Sequence, residues 1–537
     1  MKSNEPVIVG FHSGHDCSYS ILENGIPVIH EELERITRKK ECSGDGLKFF
    51  LERQPELKGK VPYFCHCHHE PSVRDLGDPK LFDEMLIDSK KLGGNYYQIG
   101  HHKSHAAHAY YSSQFEDAII FSLDAGGWDF LPDGRGSQVS SVTVFRGTSN
   151  KIQDVCLYPM NLLDIGGMWH HSLTNLFGLS VGPPYGNQSG TIMAMAGAST
   201  KPVFEKEFLN SFQNKSFYIS EHLPVIQKYI AEDCDHKYNV ALGLQLATES
   251  QIKSLIELHL SDNDVNICLS GGVALNSVMT GKILDWFPQL KNIFIPLVPY
   301  DGGLAIGASQ YLYHHILGKP KLNNKEYYPP YLGAKHSNSD IYKSLNSKSG
   351  EVTVSSATDL DVINLLSCGK IVSIFRGSSE SGRRALGNRS ILADPRSAGM
   401  KDLINEKVKH RQWFRPFAPS ILRECVSEWF EKDLESPYMG VVLKFKEDKI
   451  DEVPAVCHID GTGRLQTVSK YMNPWYYNFL NLWKEKSGVP ILLNTSFNDR
   501  EPIVETPLDA IKCFLGTEID YLFFPETNSL VSKALNE

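Results

Sequence analysis

"DAIIFSLDAGG" (Asp117–Gly127) is the stretch on which the fold turns. A short apolar, β-branched run ends in Asp124 and two glycines, the pattern of a buried strand running into a glycine loop. The same pattern returns in "NICLSGGVALN" (Asn266–Asn276) and in "NIFIPLVPYDGGLAIGAS" (Asn292–Ser309), each with a helix start after its glycines. "PVIVGFHSGHDCSYSILENGIPVIHEE" (Pro6–Glu32) reads as strand, tight loop, strand, a turn at Asn24-Gly25, and strand. Repeated strand–glycine–helix units predict an α/β nucleotide-binding architecture. Glycines admit a phosphate to the backbone, and helix N-termini supply N–H donors.

The chain has 537 residues, enough for two to four domains. Residues 317–350, rich in Pro, Lys, Asn and Ser, read as a linker. After it, "KIVSIFRG" (370–377) starts a new α/β pattern and "VPILLNTSFN" (489–498) is a strong late strand. No internal repeat is visible. Apolar residues make up 41% and charged residues 22%, as in an ordinary globular protein. No apolar run reaches the roughly 18 residues of a membrane span, and the apolar start before His12 is too short for a signal peptide. Eleven irregularly spaced cysteines fit reduced thiols in a cytoplasmic protein. A net charge of −9 argues against nucleic acid as a partner. Residues 376–415 reverse it locally, with ten Lys/Arg against four Asp/Glu, a patch suited to a small polyanion.

In "GHHKSHAAHAYY" (100–111), His101, His105 and His108 share one helical face. Two histidines at i and i+4 can chelate one ion. Asp124 and Asp301, each at the end of a strand on the same sheet edge, can complete the set. Two His with two Asp suit iron, zinc or manganese rather than copper(I). The alternative is a histidine-rich helix start with ordinary hydrogen bonds. A rival cluster, "FCHCHHE" (Phe64–Glu70), has C-x-C spacing that is poor for zinc and reads as a strand end.

The second half holds the densest signal. "SGRRALGNRSILADPR" (381–396) carries Arg383, Arg384, Arg389 and Arg396. "VKHRQWFRPFAPS" (408–420) adds Lys409, Arg411 and Arg415, "DGTGRLQTV" adds Arg464, and "LLNTSFN" ends a strand with Asn494, Thr495 and Ser496. Arginine forks match phosphate oxygens, and strand-end hydroxyls and N–H groups complete an anion cradle. Pairing with Asp394, Asp402 and Glu406 accounts for part of the cluster.

"GFHSGHDCSYSILENG", "SLDAGGWDF" and "LSGGVALN" resemble, in order, the two phosphate loops and the adenosine turn of the sugar-kinase/actin superfamily. Together with "HHxxHAAxAYY", "GNRSILADPR", "WFRPFAPS", "HIDGTGRLQTV" and "LLNTSFN", the chain resembles the NodU/CmcH carbamoyltransferase family over nearly its whole length. That family includes O-carbamoyltransferases acting on antibiotics, nodulation factors and toxins. The resemblance implies an actin/sugar-kinase-like (ASKHA) carbamoyl-transfer domain at 1–335 and a YrdC-like α/β domain at 350–537 that forms carbamoyl-adenylate from carbamoyl phosphate and ATP, with Mg.

It also implies roles. Arg384, Lys409, Arg415, Arg464 and Ser496 act on phosphate and nucleotide, with Arg389, Arg396, Asn494 and Thr495 beside them. Gly126, Gly127, Gly271, Gly272, Asn276 and Gly302 line the loops. His101, His105, Asp124 and Asp301 hold iron or another transition metal. His15 is the base for the hydroxyl of a small acceptor metabolite, and no membrane partner is implied. Thr191 replaces a family lysine, Arg383 is an additional arginine, and "GGWDF" stands where the family has an acidic residue. Residues 160–190 read either as the acceptor pocket or as core helix and loop. Two rival readings are a threonylcarbamoyl- or hydrogenase-maturation-type transferase and a nucleotide-binding sensor. The acceptor and the oligomeric state are not written in these motifs.

Overall fold

A computed structural model describes residues 6–67, 93–130, 136–180, 186–214, 222–322 and 326–534. The chain divides into two compact units, Met1–Tyr328 and Pro329–Glu537. The division falls inside the predicted linker, but that linker is not structureless. Asn338–Asn346 is a helix of the second unit, opened by a Ser337/Asp340 capping box and anchored by buried Ile341 and Leu345. Its charged and polar surface made it look like a linker.

The first unit is built on two five-stranded sheets of the same topology. In one, β1 (Ile8–His12), β2 (Ser18–Glu23) and β3 (Ile26–Glu32) form an antiparallel meander, and β4 (Tyr63–Cys67) and β5 (Asn95–Ile99) add in parallel beside β1, giving the order β3-β2-β1-β4-β5. The predicted Asn24-Gly25 turn joins β2 to β3, with φ of 52° and 80°, the left-handed pair that suits a two-residue hairpin loop. In the second sheet β6 (Asp117–Phe130), β7 (Ser137–Thr148) and β8 (Lys151–Pro159) repeat the meander. Strands β9 (Asn266–Ser270) and β10 (Asn292–Phe294) repeat the parallel pair. The repeat lies in strand order and not in residue identity, so it is invisible in the sequence. This duplicated sheet is the actin/sugar-kinase-like architecture expected from the phosphate-loop motifs.

The helices that follow the two sheets cross over. Helix α1 (His101–Ser112) leaves the first sheet and packs on β6 and β9 of the second. Helix α2 (Leu304–Gln310) leaves the second sheet and packs on β1, β2 and β4 of the first. Glycines permit the approach: a Cβ on Gly10 would lie 2.0 Å from the Ala305 carbonyl oxygen, and one on Gly307 would lie 1.8 Å from that of Ser104. The crossover brings the start of α1 and the start of α2 to one place. One expectation fails. "DAIIFSLDAGG" does not lead into a helix; β6 runs on to Phe130, with a register shift between Leu123 and Gly127.

The second unit is an α/β structure on an eight-stranded mixed sheet. It takes in β11 (Val352–Ser356), β12 (Val372–Phe375), β13 (Arg389–Ala393) and β14 (Ala418–Leu422). The short pair β15 (Leu443–Lys444) and β16 (Thr462–Gly463) stands apart. Then come β17 (Gln466–Val468), β18 (Ile491–Ser496), β19 (Tyr521–Phe524) and β20 (Ser529–Lys533), giving the order β11-β20-β19-β12-β13-β18-β14-β17. Helix Pro474–Ser487 covers it, with Trp483 fully buried and its indole N–H donating to the Ile491 carbonyl at 2.7 Å.

Candidate active site

The N-terminus of α1 is held from outside the helix. Asp129, on β6, accepts the N–H groups of His102 (3.1 Å) and Lys103 (3.3 Å), which have no partner within the helix. His101 and His105, one turn apart, then project onto the bulge of β6. There Oδ2 of Asp124 lies 3.1 Å from His101 Nε2 and 2.9 Å from His105 Nε2. Its Oδ1 accepts from Ala125 N (2.8 Å) and Gly272 N (3.3 Å). Asp301, in the turn before α2, places Oδ1 3.3 Å from His105 Nε2 and 3.7 Å from His101 Nε2. The ligand atoms of all four residues lie within 4.8 Å of one another. Gly127 makes room: a Cβ there would sit 2.1 Å from the His101 ring.

Two carboxylates meet here out of contact with bulk water, and positive charge must hold them together. Burial opposes a charge on His105, but Asp124 and Asp301 outweigh it and push the imidazole up to about 9. Burial would raise Asp124; the two histidines instead hold it well below the usual carboxylate range. A cation coordinated by the same four groups would supply the positive charge that the two carboxylates require, so this mixed N/O donor set fits a transition metal. The other histidines of α1 are structural. His102 bonds Ser122 Oγ (2.6 Å) and the Ser140 carbonyl (2.8 Å), and burial lowers it to about 4. His108 Nε2 accepts from Val298 N at 3.4 Å, and burial lowers it to about 3.

The β1–β2 loop adds His15, whose side chain is half exposed. Its Nε2 lies 3.4 Å from Asp301 Oδ2 and its Nδ1 3.2 Å from Asp16 Oδ2. Burial works against the charge, but Asp16, Asp301 and Asp124 push this histidine up to about 10. Held this way it keeps its proton, the reverse of what a general base needs.

Sequence reasoning missed the groups that fix Asp301. Ser18 Oγ and His30 Nε2 each donate to the Gly302 carbonyl at 2.8 Å, and Tyr300 OH donates to Glu32 Oε1 at 2.5 Å. They escaped notice because their partners are some 270 residues away. Gly302 is therefore a packing residue here, since a Cβ would lie 2.6 Å from Glu32 Oε1. Gly271 has φ +89°, and a Cβ on it would meet the Leu123 carbonyl oxygen at 2.1 Å. Asn276 caps the helix Ser277–Trp286 and exchanges hydrogen bonds with Gln245. Gly126 faces Met160. In the rival cluster Cys65 and Cys67 are buried in β4, and His68, His69 and Glu70 lie outside the described residues.

In the second unit the arginines divide into two groups. Arg389 is fully buried, gives its guanidinium to the carbonyls of Arg376, Asn388 (3.1 Å) and Gly377 (3.2 Å), and stacks 3.7 Å over Phe375. Arg396 is locked onto Asp394, Nε to Oδ1 at 2.9 Å and Nη2 to Oδ2 at 2.7 Å. Both were expected at phosphate; both are structural. Asn494 donates within the sheet to Ser420 Oγ (3.0 Å) and Gln466 Oε1 (2.9 Å). Thr495 pairs with Ile391 across β13 and β18. Lys409 is nearly fully buried and its ammonium is held by the Ser496 carbonyl (2.5 Å) and by the carbonyl and Oδ1 of Asn498 (2.8 and 2.7 Å). Lys409 thus fixes the chain after β18, where a direct phosphate contact was expected.

The other group is different. Burial and then the guanidiniums of Arg384, Arg415 and Arg411 lower Arg464 well below the ordinary arginine range. Burial and then Arg384 lower Arg415 to about 10. The Nε of Arg464 is buried without a hydrogen-bond partner. Like charges gathered in this way are what a bound anion would relieve.

Within 160–190, helix Ile165–Ser172 packs against the Asp124 loop. A Cβ on Gly166 would lie 2.5 Å from Ala125 N, and Trp169 donates its indole N–H to Thr248 Oγ1 at 2.8 Å. That part is core helix; residues 181–185 lie outside the described residues. Among the described residues no helix is long and apolar enough to cross a membrane.

Two family models match the chain, carbamoyltransferase N-terminus over residues 80–310 and carbamoyltransferase C-terminus over 363–533. Nodulation protein NolO of Bradyrhizobium diazoefficiens is 33% identical over 79% of this chain and 77% of its own length. An uncharacterised protein of Methanocaldococcus jannaschii is 30% identical over 98% of this chain and all of its own. Among solved structures, HypF of T. kodakarensis is 14% identical with a TM-score of 0.35, covering 59% of this chain and 48% of its own. With both family models matched in order and a third of the aligned residues shared with NolO, the chain belongs to the carbamoyltransferase family and is a carbamoyltransferase enzyme.

Proposed function

We propose that the enzyme is an ATP-dependent O-carbamoyltransferase that works in two steps. In the second unit, carbamoyl phosphate, ATP and water become carbamoyl-adenylate, pyrophosphate and orthophosphate. In the first unit, the carbamoyl group passes to a hydroxyl of a small acceptor and AMP leaves. The observation that carries this reading is the gathering of the partly buried guanidiniums of Arg384, Arg411, Arg415 and Arg464, like charges close enough to lower one another. Unlike-charged ligand is what relieves such a set, and several arginine forks suit a triphosphate together with an acyl phosphate. The arginines offset charge that develops on phosphate oxygens as pyrophosphate leaves. Lys409 and Ser496 hold the strand end beside them.

In the first unit His101, His105, Asp124 and Asp301 would hold a transition metal, iron by the family resemblance. Bound there, it supplies Lewis-acid polarisation of a carbamoyl oxygen. His15 borders that set and takes the proton of the acceptor hydroxyl once its own proton has been released. Release becomes easier when the charge of Asp301 is shared with a cation. Gly127 leaves room for His101 beside Asp124, and Gly271 packs against the Leu123 carbonyl next to it.

Mixing the enzyme with carbamoyl phosphate, ATP and Mg should release pyrophosphate without any acceptor. Arg464→Ala and Arg384→Ala should each lower that release about 100-fold or more. Pyrophosphate release that needs no carbamoyl phosphate, or that survives both substitutions, sinks the reading. Metal analysis of His101→Ala tests the other unit: a fully loaded variant overturns the ligand set.

A further inference from the structure

One acceptor atom lies close to Arg464 of the arginine group. His458 opens the turn that leads through Thr462 to Arg464, its backbone N–H donating to the Thr462 carbonyl at 2.7 Å. Its Nδ1 lies 3.1 Å from Thr462 Oγ1. Thr462 has a single hydroxyl proton, and Asp460 Oδ1, 2.6 Å away, takes it, because a carboxylate only accepts. Thr462 Oγ1 must therefore accept from His458, which puts the ring proton on Nδ1. That leaves Nε2 as a bare lone pair. This atom is buried and has no hydrogen-bond partner, as has the Nε of Arg464 two residues past Thr462. Burial, with Arg464 and Lys401 facing it against Asp460, keeps the ring neutral and lowers it to about 4.

A phosphate oxygen cannot satisfy that lone pair, since both are acceptors. The ligand that fits the two orphans together presents an anionic oxygen to Arg464 and an N–H to His458. Carbamoyl phosphate has both, in its phosphate and its amide NH₂. We infer that His458 reads the NH₂ of the carbamoyl group, its acceptor face fixed by the Asp460–Thr462 relay, and so separates carbamoyl phosphate from acyl phosphates that carry a methyl in its place. This rests on the proposed adenylate-forming reaction and names its specificity determinant. A site built to accept from an N–H leaves a buried acceptor unpaired when the N–H is missing, which penalises the wrong substrate.

The test compares pyrophosphate release from ATP with carbamoyl phosphate and with acetyl phosphate as co-substrate, for wild type, His458→Ala, His458→Gln and Thr462→Val. Wild type should prefer carbamoyl phosphate. His458→Ala should lower kcat/KM for carbamoyl phosphate about 10- to 100-fold and leave acetyl phosphate nearly unchanged. Thr462→Val, which frees the ring to turn over its tautomer, should lose part of the preference. His458→Gln, which keeps an acceptor oxygen near the Nε2 position, should recover part of it. An equal loss with both substrates, or a loss confined to KM for ATP, overturns the inference. A wild type that releases no pyrophosphate from either substrate overturns the adenylation reading itself, and this one with it.

Discussion

His101 and His105 have the same residue type as His102 and His108, sit in the same twelve-residue helix and are equally enclosed. Their chemistry is set by what faces them. Two carboxylates face the first pair; Ser122 Oγ, a carbonyl and the N–H of Val298 face the second. His105→Ala should therefore release metal, read by elemental analysis, while His108→Gln should keep it. His15 separates the two half-reactions. His15→Gln should lower carbamoyl transfer to an acceptor by about 10² to 10⁴ and leave pyrophosphate release unchanged. Parallel loss of both would remove His15 from the transfer step. At this scale the sequence was half legible. The i, i+4 spacing exposed two candidate ligands, but Asp129, Glu32, Tyr300 and His30 carry no local signature, because they act through partners distant in the chain.

At the scale of elements, the helix α1 is placed by a strand. Asp129 on β6 satisfies the first N–H groups of α1, and "GGWDF", which looked like a departure, is the segment that does it. Asp129→Ala should cost about 1 kcal/mol or more, the size of a lost helix cap with a buried donor left over. A lowered thermal midpoint together with weaker metal retention is the expected pair of readings. Gly127→Ala separates site from fold more sharply. The new methyl would fall 2.1 Å from Cδ2 and 2.2 Å from Cγ of the His101 ring, so the imidazole must leave its place beside Asp124. Metal should be lost with little change in the thermal midpoint. Gly271→Ala should instead destabilise the unit, since its φ of +89° and the Leu123 carbonyl leave a side chain nowhere to go.

For the whole molecule, buried neutral histidines set the response to acid. Burial is the first cause in each: His30, His102, His314 and His458 are lowered to about 4, and His12 and His108 to about 3. An unfolded histidine titrates near 6.5. Between about pH 6.5 and 4 the unfolded chain therefore binds more protons than the native one, and stability falls as pH falls. His105 and His15, raised to about 9 and 10, act oppositely: their contribution is complete below 6.5 and fades as pH climbs through 9 to 10. Urea midpoints should drop clearly from pH 7.5 to 5.0. An unchanged midpoint would contradict the buried-neutral state of these residues.

The sequence by itself determined the strands, the Asn24-Gly25 hairpin, the family and the four residues of the proposed metal set. Each is written in local spacing, in glycine placement or in a motif that keeps its order along the chain. Only the tertiary structure decided that two sheets repeat one topology, because a repeat of strand order needs no shared residues. It alone told which arginines are spent on carbonyls and carboxylates, as Arg389 and Arg396 are, and which gather beside other guanidiniums, as Arg415 and Arg464 do. It also turned "DAIIFSLDAGG" from the entrance of a helix into a bulged strand. Gly127, which looked like part of a phosphate turn, is small so that His101, arriving on the helix that crosses from the other sheet, can reach Asp124.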